Sequence, residues 1–119
     1  MKRLFNSFGF AFKGIKSVLA SEPNMKIHAG VTLFVIFMGF VLKISPNEWI
    51  AIVICIGLVL SAEMFNTAFE TLVDKVSPHY DPAAGKTKDL SAGAVFLAAI
   101  ISVLVGIIIF LPKLISLIF

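Results

Sequence analysis

The chain has 119 residues, of which 59% are hydrophobic and only 14% charged, with a mean hydropathy of +1.01 and a formal net charge of +3. A water-soluble domain of this length does not carry so little charge, so the composition excludes a soluble fold and points to a small integral membrane protein. The length holds one domain, and a bundle of so few helices encloses little interior, so self-association is expected. Cys55 is the one cysteine and lies in an apolar run, which rules out an intrachain disulfide.

In chain order, residues 1–22 read as an amphipathic surface helix. Phe5, Phe8, Phe12, Ile15 and Leu19 share one side, while Lys2, Asn6, Lys13, Lys16 and Ser17 gather on the other. Lys13 and Lys16 interrupt the apolar pattern, so the segment is expected to remain on the protein and lie along an anionic membrane surface rather than act as a signal peptide. Pro23 breaks the ladder and restricts Glu22 before it. A first span is predicted over 27–42, between Lys26 and Lys43. Ser45, Pro46 and Asn47 form a turn, and Trp49 anchors the start of a second span over 49–69 that continues as a polar helical end to about residue 76. Residues 77–88 read as a loop, with Pro78, Pro82 and Gly85 as breakers. A third span follows over 90–112, with an apolar tail to Phe119 able to lengthen it.

Charge orients the chain. Lys2, Arg3, Lys13, Lys16 and Lys26 precede the first span, and Lys75, Lys86 and Lys88 flank the second connection, against Lys43 and Lys113 on the other side. The excess of cations puts the N-terminus and the second connection in the cytoplasm and the C-terminus outside.

Glu63, Asn66, Glu70 and Asp74 stand at i, i+3, i+7 and i+11 and so share one helical face. A carboxylate at membrane depth costs about 2.5–3.5 kcal/mol on insertion scales and is rarely kept without a partner, an ion or a reaction. Two carboxylates with an amide between them suit Mg²⁺ and a general base, because Mg²⁺ prefers oxygen ligands and bridges to substrate phosphates. Lys88 and Asp89 at the mouth of the third span could add a phosphate contact and a positioning carboxylate, which together suggest phosphoryl transfer. Other features carry less. Gly85-Lys86-Thr87 resembles the end of a phosphate-binding loop, but Tyr80 stands where its first glycine belongs and no strand precedes it. His28 and His79 are too isolated to imply zinc. Channel or carrier function, or a structural membrane subunit, would also keep carboxylates on an interior face, but would not require Glu22, Lys88 and Asp89 at one level.

The string Glu63-Met-Phe-Asn-Thr-Ala-Phe-Glu-Thr-Leu-Val-Asp74, followed by Lys88-Asp-Leu-Ser-Ala-Gly-Ala-Val95, resembles the signature of the bacterial diacylglycerol kinase family, which includes the undecaprenol kinases. The resemblance runs along nearly the whole chain, through Lys13-Gly14, Glu22 and the three spans. It implies a homotrimer with sites shared between subunits, and transfer of the ATP γ-phosphate to the hydroxyl of undecaprenol or diacylglycerol. By position, it implies that Glu63 is the base, that Asn66 orients the reacting groups, and that Glu22 and Glu70 hold Mg²⁺. ATP would be bound by Arg3, Phe10, Glu22, Glu70, His79, Tyr80, Asp81, Lys88 and Asp89. The lipid would meet Arg3, Lys13, Asn24, Lys26, His28 and Glu63. Phe10 stands where some members carry a tyrosine, and Glu22-Pro-Asn-Met-Lys-Ile-His28 looks more like the undecaprenol-kinase branch.

Overall fold

In a computed structural model describing residues 1–119, the chain is entirely α-helical. Four helices follow in order: α1 (Lys2–Ser21), α2 (Pro23–Val41), α3 (Pro46–Val76) and α4 (Pro82–Ile118). The last three are long and apolar enough to cross a membrane. At about 1.5 Å per residue α3 and α4 are roughly 46 and 55 Å long, well beyond a hydrocarbon core of about 30 Å, so both overrun the predicted spans.

Only one residue separates α1 from α2. Glu22 is extended (φ −99°, ψ 115°), its N–H donates to the Val18 carbonyl, and Pro23 begins α2. This is what a residue before proline must do, and proline at the first helical position loses no hydrogen bond. The elbow therefore follows from the dipeptide Glu22-Pro23, and α2 starts there rather than at Ile27.

The turn from α2 to α3 is closed from both sides. Ile44 N–H donates to the Gly39 carbonyl across a left-handed Lys43 (φ 50°). Ser45 then caps α3 in a reciprocal pair with Glu48, whose carboxylate accepts from Ser45 N at 2.7 Å while Ser45 Oγ accepts from Glu48 N at 3.2 Å. Gly39 is required here: a Cβ would come within 2.6 Å of the Trp49 ring. Trp49 also stacks at a tilt on Phe40, with ring centroids 4.9 Å apart. Ile44, Ile52 and Ile109 form the buried cluster beneath this turn, and Glu48 pairs with Lys113 at 3.1 Å above it.

The loop expected over 77–88 is shorter. Only residues 77–81 connect α3 to α4, because Asp81 caps α4 by accepting from Ala83 N at 3.0 Å and Pro82 occupies its first position. Pro82 starts a helix instead of breaking one, and Gly85 lies within it. Pro112 does not end α4 either; the helix runs through it to Ile118.

Only 10 residues are buried, and the radius of gyration is 17.7 Å, against about 13–14 Å for a globule of this length. The α3–α4 hairpin is the best-packed part, α2 leans on α3, and α1 stands away from the bundle with Val18 its one buried residue. Large apolar side chains such as Leu33, Phe34, Phe37 and Ile108 are exposed on the outer faces of α2 and α4, as befits a chain whose solvent there is lipid.

Candidate active site

Helix α3 builds the site. Its 3.6-residue period brings Glu63, Asn66 and Glu70 to one side, and there α2 and α4 close over it. Glu63 is 1% exposed, the most deeply buried side chain in the protein, and Asn66 is 7% exposed. These are the only buried polar residues.

Asn66 is held from both flanks. Ser91 on α4 donates its hydroxyl towards Asn66 Oδ1 at 2.8 Å, with the Lys88 carbonyl at 2.9 Å as a second acceptor for the same proton. Asn66 Nδ2 in turn reaches Glu70 Oε1 at 3.5 Å, a long contact. Both ends of the amide are thus engaged, which fixes its orientation. Lys88, one turn before Ser91, forms an ion pair with Asp74 on α3.

Glu63 is not held in this way. Its Oε2 accepts no hydrogen bond, and the nearest basic side chain is His28 on α2, whose Nε2 lies 3.9 Å away. The other charges that act on it are the carboxylates of Glu22 at the elbow and Glu70 two turns along the same helix. Burying a carboxylate among carboxylates, with no lysine or arginine paired to it, is costly to the fold. Thr67 Oγ1, beside Asn66 in sequence, is the second buried polar atom lacking a partner.

The residues singled out in the sequence thus divide into groups. Glu63, Asn66, Glu70 and His28 come together, with the Glu22 charge close by, and Lys88 joins them through its main chain. Asn24 and Lys26 are exposed in the first turn of α2. Arg3, Phe10 and Lys13 lie out on α1, exposed, with the Lys13 ammonium 5.8 Å above the Phe10 ring. At about 1.5 Å per residue, Arg3 sits roughly 27 Å along α1 from its end at Ser21. In the connection to α4, Asp81 is spent on the helix cap, the His79 carbonyl faces Ser77 Oγ, and Tyr80 is almost fully exposed. Asp89 is exposed and makes no side-chain bond. No three acidic, histidine or cysteine side chains form a closed metal cage.

Ser91 is the site residue that sequence reasoning missed. The signal was available: Ser91, Ala98 and Ser102 recur at i, i+7 and i+11 on α4, a stripe of small residues of the kind that packs on a neighbouring membrane helix. Ser102 Oγ indeed reaches the Cys55 carbonyl of α3 at 3.5 Å.

Fold and site define a helical membrane protein with a buried acidic centre near one end of its bundle. The family described as prokaryotic diacylglycerol kinase matches residues 9–110. The chain belongs to that family and is an enzyme, a lipid kinase. It is 40% identical over 114 residues to the undecaprenol kinase of Bacillus subtilis (strain 168), covering 96% of this chain and 93% of that protein. It is similar also to a diacylglycerol kinase of Synechocystis sp., 36% identical over 115 residues, covering 96% of this chain and 66% of the relative. With the diacylglycerol kinase of Escherichia coli (strain K12) it shares 24% identity over 102 residues, 86% of this chain and 84% of the other.

Proposed function

We propose that this lipid kinase transfers the γ-phosphate of ATP directly to the hydroxyl of a long isoprenoid alcohol of the undecaprenol type. The observation that carries the reading is Glu63, a fully buried carboxylate whose Oε2 has no hydrogen-bond partner. An acceptor oxygen left open in this way is suited to take the proton of an incoming alcohol. Asn66, clamped by Ser91 and Glu70, orients the reacting groups. Phosphoryl transfer needs alignment and charge neutralisation more than covalent chemistry, so a rigid amide beside a base is an adequate constellation.

Mg²⁺ fits the donor set. Glu22 and Glu70 offer hard oxygen ligands from separate elements near Glu63, and a site of two carboxylates leaves the remaining positions to water and phosphate oxygens. When bound, the ion would neutralise charge on the phosphates. Lys88 and Asp89 at the start of α4, with His79, Tyr80 and Asp81 in the preceding connection, supply the nucleotide contacts. Arg3 and Phe10 lie too far along α1 to serve the Glu63 of their own protomer, so they are assigned to a neighbour's site in a homotrimer. The exposed apolar faces of α2 and α4 support that assembly. Helix α1 lies along the cytoplasmic surface of the plasma membrane, where Lys13, Asn24 and Lys26 meet the lipid headgroup, and the C-terminus faces outwards.

The isoprenoid alcohol is favoured over diacylglycerol by the similarity to the Bacillus subtilis protein along almost its whole length. The similarity to the Synechocystis protein keeps diacylglycerol as the second reading. Purified protein given γ-labelled ATP and undecaprenol, diacylglycerol or ceramide decides between them. Labelled polyprenyl phosphate formed fastest is the expected result. Preferential labelling of diacylglycerol overturns the substrate, and no labelled lipid at all overturns direct transfer from ATP to an alcohol of these classes. Native mass spectrometry of the same preparation should show three copies.

A further inference from the structure

Glu63 presents a problem that its role as a base sharpens. A carboxylate that takes a proton in every turnover must also return it to water, and Glu63 is 1% exposed. Its surroundings offer few exits. The carboxylates of Glu22 at the elbow and Glu70 on its own helix act on it through their charge. From α4, Ser91 reaches only as far as Asn66, and neither the Lys88–Asp74 nor the Lys113–Glu48 ion pair involves Glu63.

His28 differs from all of these. It sits in the second turn of α2, its side chain is 21% exposed, and its Nε2 is 3.9 Å from the oxygen of Glu63 that has no partner. That gap is too long for a hydrogen bond, and a change of side-chain torsion or one bridging water closes it. His28 also lines an open groove of about 360 Å³ between α2, α3 and α4, whose other walls at this level are Ile27, Val31 and Val59. It is therefore the one titratable side chain that touches both the sealed carboxylate and an opening out of the bundle. Its distance from Glu22 along α2 and its lack of contact with Glu70 keep it outside the proposed metal ligands.

We infer that His28 is a positioning residue that acts through Glu63, receiving the proton the carboxylate takes from the lipid alcohol and passing it to water. The inference rests on Glu63 being the base. The steps balance as follows. The alcohol oxygen bonds to the γ-phosphorus of ATP as the bond to the β-bridging oxygen breaks, and the hydroxyl proton moves to Glu63. The protonated carboxyl gives that proton to the lone pair of His28 Nε2, and the imidazolium releases a proton from Nδ1 to solvent. Glu63 is a carboxylate again and ADP departs. Imidazole can accept at one nitrogen while donating at the other, which an amide or hydroxyl in that place cannot do at comparable cost.

The test compares His28→Gln, His28→Ala and Glu63→Gln with wild type in lipid nanodiscs, reading kcat, KM for ATP and for the lipid alcohol, and pH dependence. His28→Gln should lower kcat by about tenfold or more while both KM values stay within about twofold, since loss of a proton-transfer partner acts on turnover rather than on binding. The shape of the kcat–pH profile should change in that variant, because one of the two groups that pass the proton is gone. Added imidazole should restore turnover to His28→Ala in proportion to its free-base concentration and do nothing for Glu63→Gln. Wild-type kcat and pH profile in His28→Gln, with Glu63→Gln inactive, overturn the relay and leave the base in place. Activity retained in Glu63→Gln overturns the base itself. Loss of activity in both His28 variants with no imidazole rescue shows that the histidine is structural, and that too defeats the relay.

Discussion

The two ends of the α2–α3–α4 bundle are built on opposite terms. At the end where α2 turns into α3, the polar groups are partnered: Ser45 and Glu48 cap each other, Glu48 pairs with Lys113, and Trp49 fills the space that Gly39 leaves open. Beneath them Ile44, Ile52 and Ile109 form the only apolar cluster. At the other end the most deeply buried side chain is a carboxylate, two polar atoms go without partners, and the hydrogen bonds converge on one amide. The first end satisfies its groups and holds the helices together. The second leaves acceptors open where a substrate can use them, which is where strain and unmet bonding are expected to concentrate in an enzyme.

The contrast predicts that substitutions at the two ends fail differently. The largest effect belongs to Glu63→Gln, which should bind ATP normally in an equilibrium assay yet turn over roughly 10²–10⁴ times more slowly, the usual worth of a positioned proton acceptor. Near-normal turnover would erase the distinction between the ends.

At the other end, Ile52→Ala should cost about 2 kcal/mol in unfolding measurements through lost packing, with kcat per folded protein unchanged. Gly39→Ala should act in the same direction, because its methyl group meets the Trp49 ring. A fall in kcat of the folded fraction would show that packing there is coupled to catalysis.

Ser91→Ala is a finer probe, since it frees Asn66 Oδ1 without touching a carboxylate. Turnover should fall by about tenfold, equivalent to roughly 1.4 kcal/mol, and Ser91→Thr should recover part of it. The smallest effect is expected of Glu48→Gln. Its ion pair is open to water, so the unfolding midpoint should shift little and kcat not at all.

The sequence carried the acidic face well, because Glu63, Asn66 and Glu70 sit on a single helix and helical period alone brings them together. The elbow was legible for the same kind of reason, since proline restricts its neighbour wherever it occurs. What is nonlocal was harder. The approach of His28 to Glu63 and of Ser91 to Asn66 depends on how α2 and α4 are rotated against α3, which no single-helix pattern states. One proline misled in a specific way. Pro82 read as an interruption, but it opens a helix after a capping aspartate, while Pro112 is carried inside one, as membrane helices tolerate.

One substitution separates a carboxylate kept for chemistry from one kept for the fold. Glu63→Leu replaces a buried, unpartnered acid with an apolar side chain of similar size, so it removes a desolvation cost while removing the base. Chemical unfolding of this variant in detergent micelles, with lipid phosphorylation measured on the same samples, should give a midpoint at or above that of wild type and no detectable turnover. A midpoint clearly below wild type would mean that Glu63 holds the bundle together, and would contradict its assignment as an acceptor left open for the substrate.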